Sequence, residues 1–582
     1  MSVRRVRSGD VELAVGEWGD AAGPTVVLVH GYPDTSAVWR PVAERLAERY
    51  HVVAYDVRGA GESSAPRRTG DYRLERLVDD LTAVIEATAG DRPVHLVGHD
   101  WGSIQGWDAI TTPAVAGRIA SFTSMSGPCL DHASHWIRGR AKRPTPKAVR
   151  ALAGQLARSW YIGVFGLPVA GPLAWRLGLA RVLPRVIARM EGLQPSPTYP
   201  APTLAADGRR GVAMYRVNFP PRLLRPGERS TDVPVQVIIP TGDRFVSPSL
   251  FDDLDRWVPR LWRRPVGGGH WVVQTKPDAV ARWIGELIDH AEGGPEPPAL
   301  RRFRGAMSDR TFDGSIAVVT GAGSGIGRAT ALALADQGAS VVAADIDAGS
   351  AARTAELARL LGTEAASYQV DVGDPVAMEE FSKWVEHEHG VPDVLVNNAG
   401  IGMAGPFLAT SVDDWERVLH VNLWGVVHGC RLFGRLMTER GEGGHIVNVA
   451  SAAAFTPSRS LPAYATTKAA VLMLTGCLRA ELAGAGIGVS AICPGIVDTP
   501  ITGSTRFVGA NVVDEQRRRR AAGRMYRRRR FPPERVAAAI VSAVRNDTPV
   551  VPVAIEARAT LALSRVAPSV ARRLARLDLA PR

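Results

Sequence analysis

Cysteine is scarce in this chain and falls in no pattern. Cys129, Cys430, Cys477 and Cys493 are the only four in 582 residues, with no CxxC pair and no histidine cluster at zinc-ligand spacing. Neither structural disulfides nor a metal is expected. Long apolar runs are also missing. The most hydrophobic stretch, Ile162 to Ile187, is interrupted by Arg176, Arg181 and several Gly and Pro, which falls short of a spanning helix. The opening residues MSVRRVRSGDVELAVGEWG alternate like a strand and lack the apolar centre and cleavage site of a signal peptide. A cytoplasmic protein is the expectation.

Aromatics are few, 6% of the chain, and they avoid the places where charge gathers. The formal net charge is +12, and much of it lies in Arg517 to Arg520 and Arg527 to Arg530. Between those arginines stand one Tyr and one Met, not the ladder of rings that stacks on bases, so nucleic acid is not expected as a partner. The segment reads as a solvated mobile loop, with peripheral contact to an anionic inner-membrane surface as the alternative.

What is present is ample material for two cores. A chain of 582 residues, 46% hydrophobic and 22% charged, is too long for one core to keep growing and predicts two domains. Residues 293–312, within EGGPEPPALRRFRGAMSDRTFD, are dense in Gly, Pro and charge and predict a linker without regular structure. Before it, over residues 1–292, TVVLVH, HVVAYD, VHLVGH, SFTSMSG and VQVIIPTG alternate with helix-like segments. After it, over residues 313–582, SIAVVTG, SVVAADI, PDVLVNNAG, HIVNVAS and GVSAICPG repeat that grammar. Both halves predict α/β folds with mostly parallel, helix-covered sheets. An insertion at about 131–224, rich in Pro, Arg, Trp and Tyr, reads as a lid. The halves carry different motifs, so they are fused rather than duplicated.

In the first half, an apolar strand runs into Gly98-His99-Asp100-Trp101-Gly102 and then a helix. This small-x-nucleophile-x-small pattern is a sharp turn that exposes its central side chain. The central residue is Asp100, and a carboxylate can attack saturated carbon to form an ester with the enzyme. Asp243 follows a later strand, where an acid would orient a histidine, and His270 follows on the Gly-rich run GGGHWVV. The backbone N–H groups of Tyr32, in His30-Gly31-Tyr32-Pro33, and of Trp101 are placed to form an oxyanion hole.

HGYP, GHDWG and the late Asp and His resemble the α/β-hydrolase-fold epoxide hydrolases over residues 1–292. That resemblance implies an N-terminal α/β-hydrolase fold with a helical lid, and two lid tyrosines that donate to the epoxide oxygen. Tyr161 heads YIGVFGLP and Tyr215 sits in AMYR at the matching places. A haloalkane dehalogenase shares the Asp nucleophile and the following Trp and is the competing reading.

In the second half, the strand IAVVT leads into Gly321-Ala322-Gly323-Ser324-Gly325-Ile326-Gly327 and a helix starting near Arg328. Such glycines let a pyrophosphate approach a helix N-terminus. The next strand ends in Asp345, placed to accept from the adenosine ribose hydroxyls. A carboxylate repels a 2′-phosphate, so NAD is expected in preference to NADP. Tyr464 and Lys468 stand one helical turn apart, so the ammonium is expected to lower the phenol pKa and hold the nicotinamide ribose.

From residue 313 onward the chain resembles the short-chain dehydrogenase/reductase family, with a Rossmann-type doubly wound parallel sheet. The resemblance implies that Asp371 and Val372 contact adenine. It implies that Asn398, Ala399 and Gly400 of NNAG support the strand beside the cofactor, and that Pro494, Gly495 and Thr499 flank the nicotinamide. Ser451 would bind the substrate oxygen, Tyr464 exchange the proton, and Asn422 secure a water path at a helix irregularity. The Arg-bearing tail has apolar residues at helical spacing and suits a homo-oligomer contact. The whole is similar to the epoxide hydrolase/short-chain oxidoreductase fusions of mycobacteria and related actinobacteria. It implies epoxide hydrolysis to a diol and NAD(H)-dependent alcohol/ketone exchange on a hydrophobic, lipid-like small molecule. One domain acting as a silent scaffold or lipid-binding module is the further alternative.

Overall fold

The apolar runs form buried strands in both halves of the computed structural model, which describes residues 2–193, 200–305 and 310–575. The chain divides into two units, residues 1–307 and 308–582. In the first, the strands are β1 (Ser2–Ser8), β2 (Val11–Trp18), β3 (Thr25–Val29), β4 (His51–Tyr55), β5 (Val94–His99), β6 (Ile119–Met125), β7 (Val235–Pro240) and β8 (Leu261–Val266). Their order is β1-β2-β4-β3-β5-β6-β7-β8. The pairs β1/β2 and β2/β4 are antiparallel, and the pairs from β4 to β8 are parallel. Strands β3, β4, β5 and β7 are buried at every residue, as helices on both faces require. One core packs the helices Leu74–Ala89 and Trp101–Ile110 on the sheet, and a second packs Arg40–Leu46 and Pro277–Ala291 on its other face. This is the expected α/β-hydrolase fold.

The insertion is helical, with Leu130–Lys142, Pro146–Arg158, Trp160–Gly166, Ala170–Ala174, Ala180–Glu191 and Leu204–Leu224. Residues 194–199 of the expected lid lie outside the described residues.

The segment 293–312 departs from expectation. Pro298 starts a short helix, Pro298–Arg301, as proline at the first helical position can. Leu300 from it is buried against Trp262 and Leu287, and Trp262 bridges Arg304. An apolar residue on one turn of helix is enough to dock this stretch on the first unit. Residues 306–309 of the expected linker are outside the described residues.

The second unit holds β9 (Ile316–Thr320), β10 (Ser340–Asp345), β11 (Ala365–Gln369), β12 (Val394–Asn397), β13 (Met403–Ala404), β14 (Gly444–Val449), β15 (Ile487–Pro494), β16 (Arg506–Phe507) and β17 (Val550–Val553). Seven of them form a sheet of order β11-β10-β9-β12-β14-β15-β17, parallel throughout. The order reverses between β9 and β12, which opens a crevice at their C-terminal ends. The doubly wound sheet is as expected.

The arginine-rich segment is not a loop. It is the helix Val512–Arg529, capped where Asn511 Oδ1 accepts the Asp514 N–H at 2.9 Å. Arg, Ala, Gln and Met are strong helix formers, and the helix is anchored: Arg519 donates to Thr505 O and to Glu515, and Arg529 pairs with Glu556. The tail forms Ile555–Val566 and Pro568–Leu574, and residues 576–582 are outside the described residues. Among the described residues no single helix is long and apolar enough to cross a membrane.

Candidate active sites

Asp100 closes β5 with φ 51° and ψ −119°, a left-handed conformation that costs a non-glycine residue energy and turns its side chain out of the sheet. The turn tolerates only small neighbours. A Cβ on Gly98 would stand 2.5 Å from Gly102 O, one on Gly102 2.1 Å from Val29 O, and one on Gly31 2.4 Å from the Asp100 Cβ.

The two carboxylate oxygens of Asp100 have different surroundings. Oδ2 accepts the Tyr32 N–H at 2.8 Å, and the Trp101 N–H, at the positive end of the next helix, also favours the anion. Oδ1 stands 3.8 Å from His270 Nε2. Burial raises the Asp100 pKa, opposed by His270 and the two N–H groups. The His270 Nδ1 donates to Asp243 Oδ2 at 2.9 Å, and Asp243 Oδ1 accepts the N–H groups of Phe245 and Val246. Burial works to raise the Asp243 pKa, but His270 and those donors outweigh it and the carboxyl titrates low. Burial works to lower the His270 pKa, yet Asp243, Asp100 and Glu191 together lift it to about 9. The imidazole is therefore charged at neutral pH beside the ionised Asp243 carboxylate.

Two further residues support His270, and the first of them escaped the sequence reading. Glu191, at the end of the lid helix Ala180–Glu191, accepts the backbone N–H groups of His270 (3.2 Å) and Trp271 (3.3 Å). His99 donates from Nε2 to the His270 carbonyl at 2.8 Å; burial, with the neighbouring His270 charge, drives its pKa to about 3 and keeps it neutral.

Both lid tyrosines reach the elbow. Tyr161, from Trp160–Gly166, and Tyr215, from Leu204–Leu224, have ring centroids 6.0 Å apart. Tyr215 meets Trp101 edge-on at 5.0 Å and Tyr32 at 5.4 Å, and Phe165 packs on both tyrosines. Burial raises both phenol pKa values, and the Asp100 charge adds to each, so the hydroxyls keep their protons. Tyr32 also latches the lid: its hydroxyl donates to Gly208 O at 2.7 Å and accepts from Trp175 Nε1 at 2.6 Å.

In the second unit the glycine loop lies between β9 and the helix Gly325–Asp336. Ser324 occupies the N-cap without a side-chain cap bond, which leaves the first N–H groups for an anion. A Cβ on Gly321 would meet Ala399 and Asn398, and one on Gly325 would meet Thr499. Ile326 packs against the core under the loop and Gly327 lies against Gly321 O. The Asp345 carboxylate ends β10 and accepts the Gly323 N–H at 2.8 Å. Asn398 donates to Thr320 O and Gly321 O, and the Ala399 N–H to Thr320 Oγ1, so NNAG braces the loop. Val372 is buried under Gly425, and Asp371 caps Gly373 and faces His420. Gly400 faces Asn422 and Lys468. Pro494 ends β15, and Gly495 lies against Glu556. These residues fit a nicotinamide dinucleotide.

Asn422 lies in a π-helical turn, His420–Trp424, exchanging hydrogen bonds with the Ile401 backbone. Ser451 reaches the Tyr464 phenol and works against the burial that carries its pKa to about 12. The expected depression by Lys468 is absent. Lys468 Nζ donates to Val449 O at 2.8 Å, stands 6.0 Å from the Tyr464 ring centre, and is itself lowered by burial to about 8. Tyr526, on the arginine-rich helix, also acts on Tyr464 electrostatically. The sequence reading missed it by taking that helix for a mobile loop.

Family comparison agrees with both halves. The alpha/beta hydrolase fold matches residues 24–147, and short chain dehydrogenase matches residues 315–508, which implies NAD(P) binding. The "Probable oxidoreductase EphD" of Mycobacterium tuberculosis (strain ATCC 25618 / H37Rv) is 44% identical over 584 residues, covering 99% of this chain and 98% of its own. The 2,3-dihydro-2,3-dihydroxybenzoate dehydrogenase of Bacillus subtilis (strain 168) is 37% identical over 193 residues, 33% of this chain and 74% of its own. A solved short chain dehydrogenase/reductase from Burkholderia phymatum in complex with NAD is 33% identical, covering 47% of this chain and 98% of that one at a TM-score of 0.42. Similar to EphD from end to end, the chain belongs to the EphD family of enzymes, which join an α/β-hydrolase domain to a short-chain dehydrogenase domain.

Proposed function

We propose that the first unit hydrolyses an epoxide to a vicinal diol through an ester on Asp100. The second unit then exchanges hydride between NAD(H) and an alcohol or ketone. The observation that carries the first reading is the asymmetry at Asp100, with Oδ2 held by N–H donors and Oδ1 facing His270 under two protonated phenols. Oδ1 attacks an epoxide carbon, the carbon–oxygen bond breaks, and Tyr161 and Tyr215 donate to the oxygen that takes the electron pair. Esterification removes the Asp100 charge, one of the anions that hold the His270 pKa up, so the imidazolium gives up its proton, which completes the hydroxyl on the ring-opened oxygen, and the imidazole becomes a base when it is needed. His270 then takes a proton from water, whose oxygen adds to the ester carbonyl. The oxyanion forms at Oδ2 between Tyr32 and Trp101; as it collapses the Cγ–Oδ1 bond breaks, His270 passes its proton to the leaving oxygen to complete the diol, and the remaining water proton returns to His270, restoring carboxylate and imidazolium.

Haloalkane dehalogenation would need free N–H donors for halide. The two protonated lid phenols beside Asp100 offer donors to an oxygen instead, which favours the epoxide. Incubation of the full chain with a panel of apolar epoxides and haloalkanes tests the choice. Diol formation without halide release supports the proposal, and halide release without diol refutes it.

In the second unit, a bound NAD would supply the hydride acceptor or donor. The Asp345 carboxylate favours NAD over NADP. Tyr464 exchanges the substrate proton, Ser451 holds the substrate oxygen, Lys468 holds the ribose, and Asn422 anchors the Ile401 backbone beside them. Trp424, Met473 and Val566, exposed on this unit, suit assembly into a homo-oligomer. A hydrophobic substrate suits the aromatic lining around Tyr215.

A further inference from the structure

The outer face of the lid pairs exposed apolar side chains with unmatched positive charge. From Pro146 to Leu193 the sequence has seven basic residues and one acidic residue, Glu191. That carboxylate is turned inward onto the His270 and Trp271 N–H groups. Arg176, Arg181, Arg185 and Arg189 are all exposed, and among the described residues none forms an ion pair. Other arginines of the first unit are held in ion pairs, among them Arg58 with Asp80, Arg222 with Asp131 and Arg263 with Asp255.

The geometry makes these charges a stripe. Arg181, Arg185 and Arg189 repeat every four residues along Ala180–Glu191, one above another on one side. Val182 and Val186 are exposed beside them, while Ile187 faces the core. Trp160 (70% exposed), Val169 (70%) and Leu177 (78%) extend the apolar face. Trp160–Gly166 and Ala170–Glu191 are together apolar enough for a membrane span but are bent by 98° at their junction. A bent, apolar, arginine-flanked pair lies on a bilayer rather than through it.

We propose that this lid face docks on an anionic lipid bilayer. Charge complementarity selects that partner. A second copy would bring the same arginines against themselves, and a nucleic acid backbone would leave Trp160, Val169 and Leu177 in water. Acyl chains and acidic headgroups satisfy both halves of the surface. Trp160 precedes Tyr161, so docking sets the bilayer against the outer side of the turn whose inner side lines the reaction centre. The proposal does not depend on which reaction the first unit performs.

The test is flotation of the purified full chain with phosphatidylcholine vesicles, alone or mixed with phosphatidylglycerol. Binding to the mixed vesicles only, falling with salt, is expected. Combined R176E, R181E, R185E and R189E should weaken partitioning more than about tenfold with an unchanged melting temperature. R517Q, R518Q, R527Q and R528Q together should leave it intact. Hydrogen exchange of the unmodified chain should show vesicle protection over residues 160–189, which keeps the test valid if the lid variant misfolds. No binding to acidic vesicles, loss of binding only in the second variant, or protection confined to other segments would overturn the proposal.

Discussion

Asp100 Oδ1 stands 3.8 Å from Nε2 of His270, on the side away from the oxygen that takes the Tyr32 N–H. One carboxylate thus offers a nucleophilic oxygen beside the base and a second oxygen already in the oxyanion site. His270 is not needed to form the ester but is needed to destroy it. His270→Gln should therefore trap the alkylated enzyme: steady-state hydrolysis falls by about 10³-fold or more, while intact-mass analysis shows one stoichiometric epoxide adduct. Absence of the adduct would contradict the division of labour.

The charged pair also predicts a pH dependence of stability. The His270 pKa is raised to about 9 from 6.5, so its contribution is fully present below 6.5 and is lost as pH rises through about 9. At 1.36 kcal/mol per pKa unit this is worth at most about 3 kcal/mol. The Asp243 pKa is lowered from 3.8, so its contribution is present above 3.8 and lost as pH falls through the folded value. The melting temperature of the first unit should fall between pH 6.5 and 9, and Asp243→Asn should flatten that fall. Parallel curves for the two proteins would count against the pair.

Tyr161 and Tyr215 stay protonated beside Asp100. Replacing either with Phe should reduce ester formation by about 10²-fold with little change in substrate binding, as single-turnover kinetics would show. A loss confined to KM would make the tyrosines packing residues.

Glu191 ties the lid to the His270 loop through two backbone N–H groups. Glu191→Gln should lower the His270 pKa, measurable by NMR titration, and hasten hydrogen exchange at residues 270 and 271. An unmoved titration would assign Glu191 to packing alone.

In the second unit, Tyr464→Phe should abolish hydride exchange while NAD still quenches or shifts the protein's fluorescence. Asp345→Ser should narrow the preference for NAD over NADP by about tenfold. Retained turnover in the first variant would displace Tyr464 from proton exchange.

The strand-end residues were readable because an apolar run followed by crowded small residues leaves few local conformations. Asp100, His270, the glycine loop and Tyr464 all lie at such places or one helical turn from another marker. Glu191 was not readable, because its contact joins residues 79 apart through backbone N–H groups that leave no trace in side-chain pattern. The helix Val512–Arg529 was hidden by its own charge, since like-charged neighbours suggest a loop until Glu515 and Glu556 are seen to anchor Arg519 and Arg529. Docking of Leu300 was obscured by the prolines around it.

The central claim is that Asp100 becomes an ester of the substrate and is regenerated by water. A single turnover of the full chain with an apolar epoxide in ¹⁸O-labelled water, followed by mass spectrometry of the Asp100 peptide, tests it directly. One labelled oxygen in the Asp100 carboxylate, with an unlabelled first-turnover diol, is the predicted result. Label appearing in the diol while Asp100 stays unlabelled would mean that water attacks the epoxide itself, and the nucleophile would have to be abandoned.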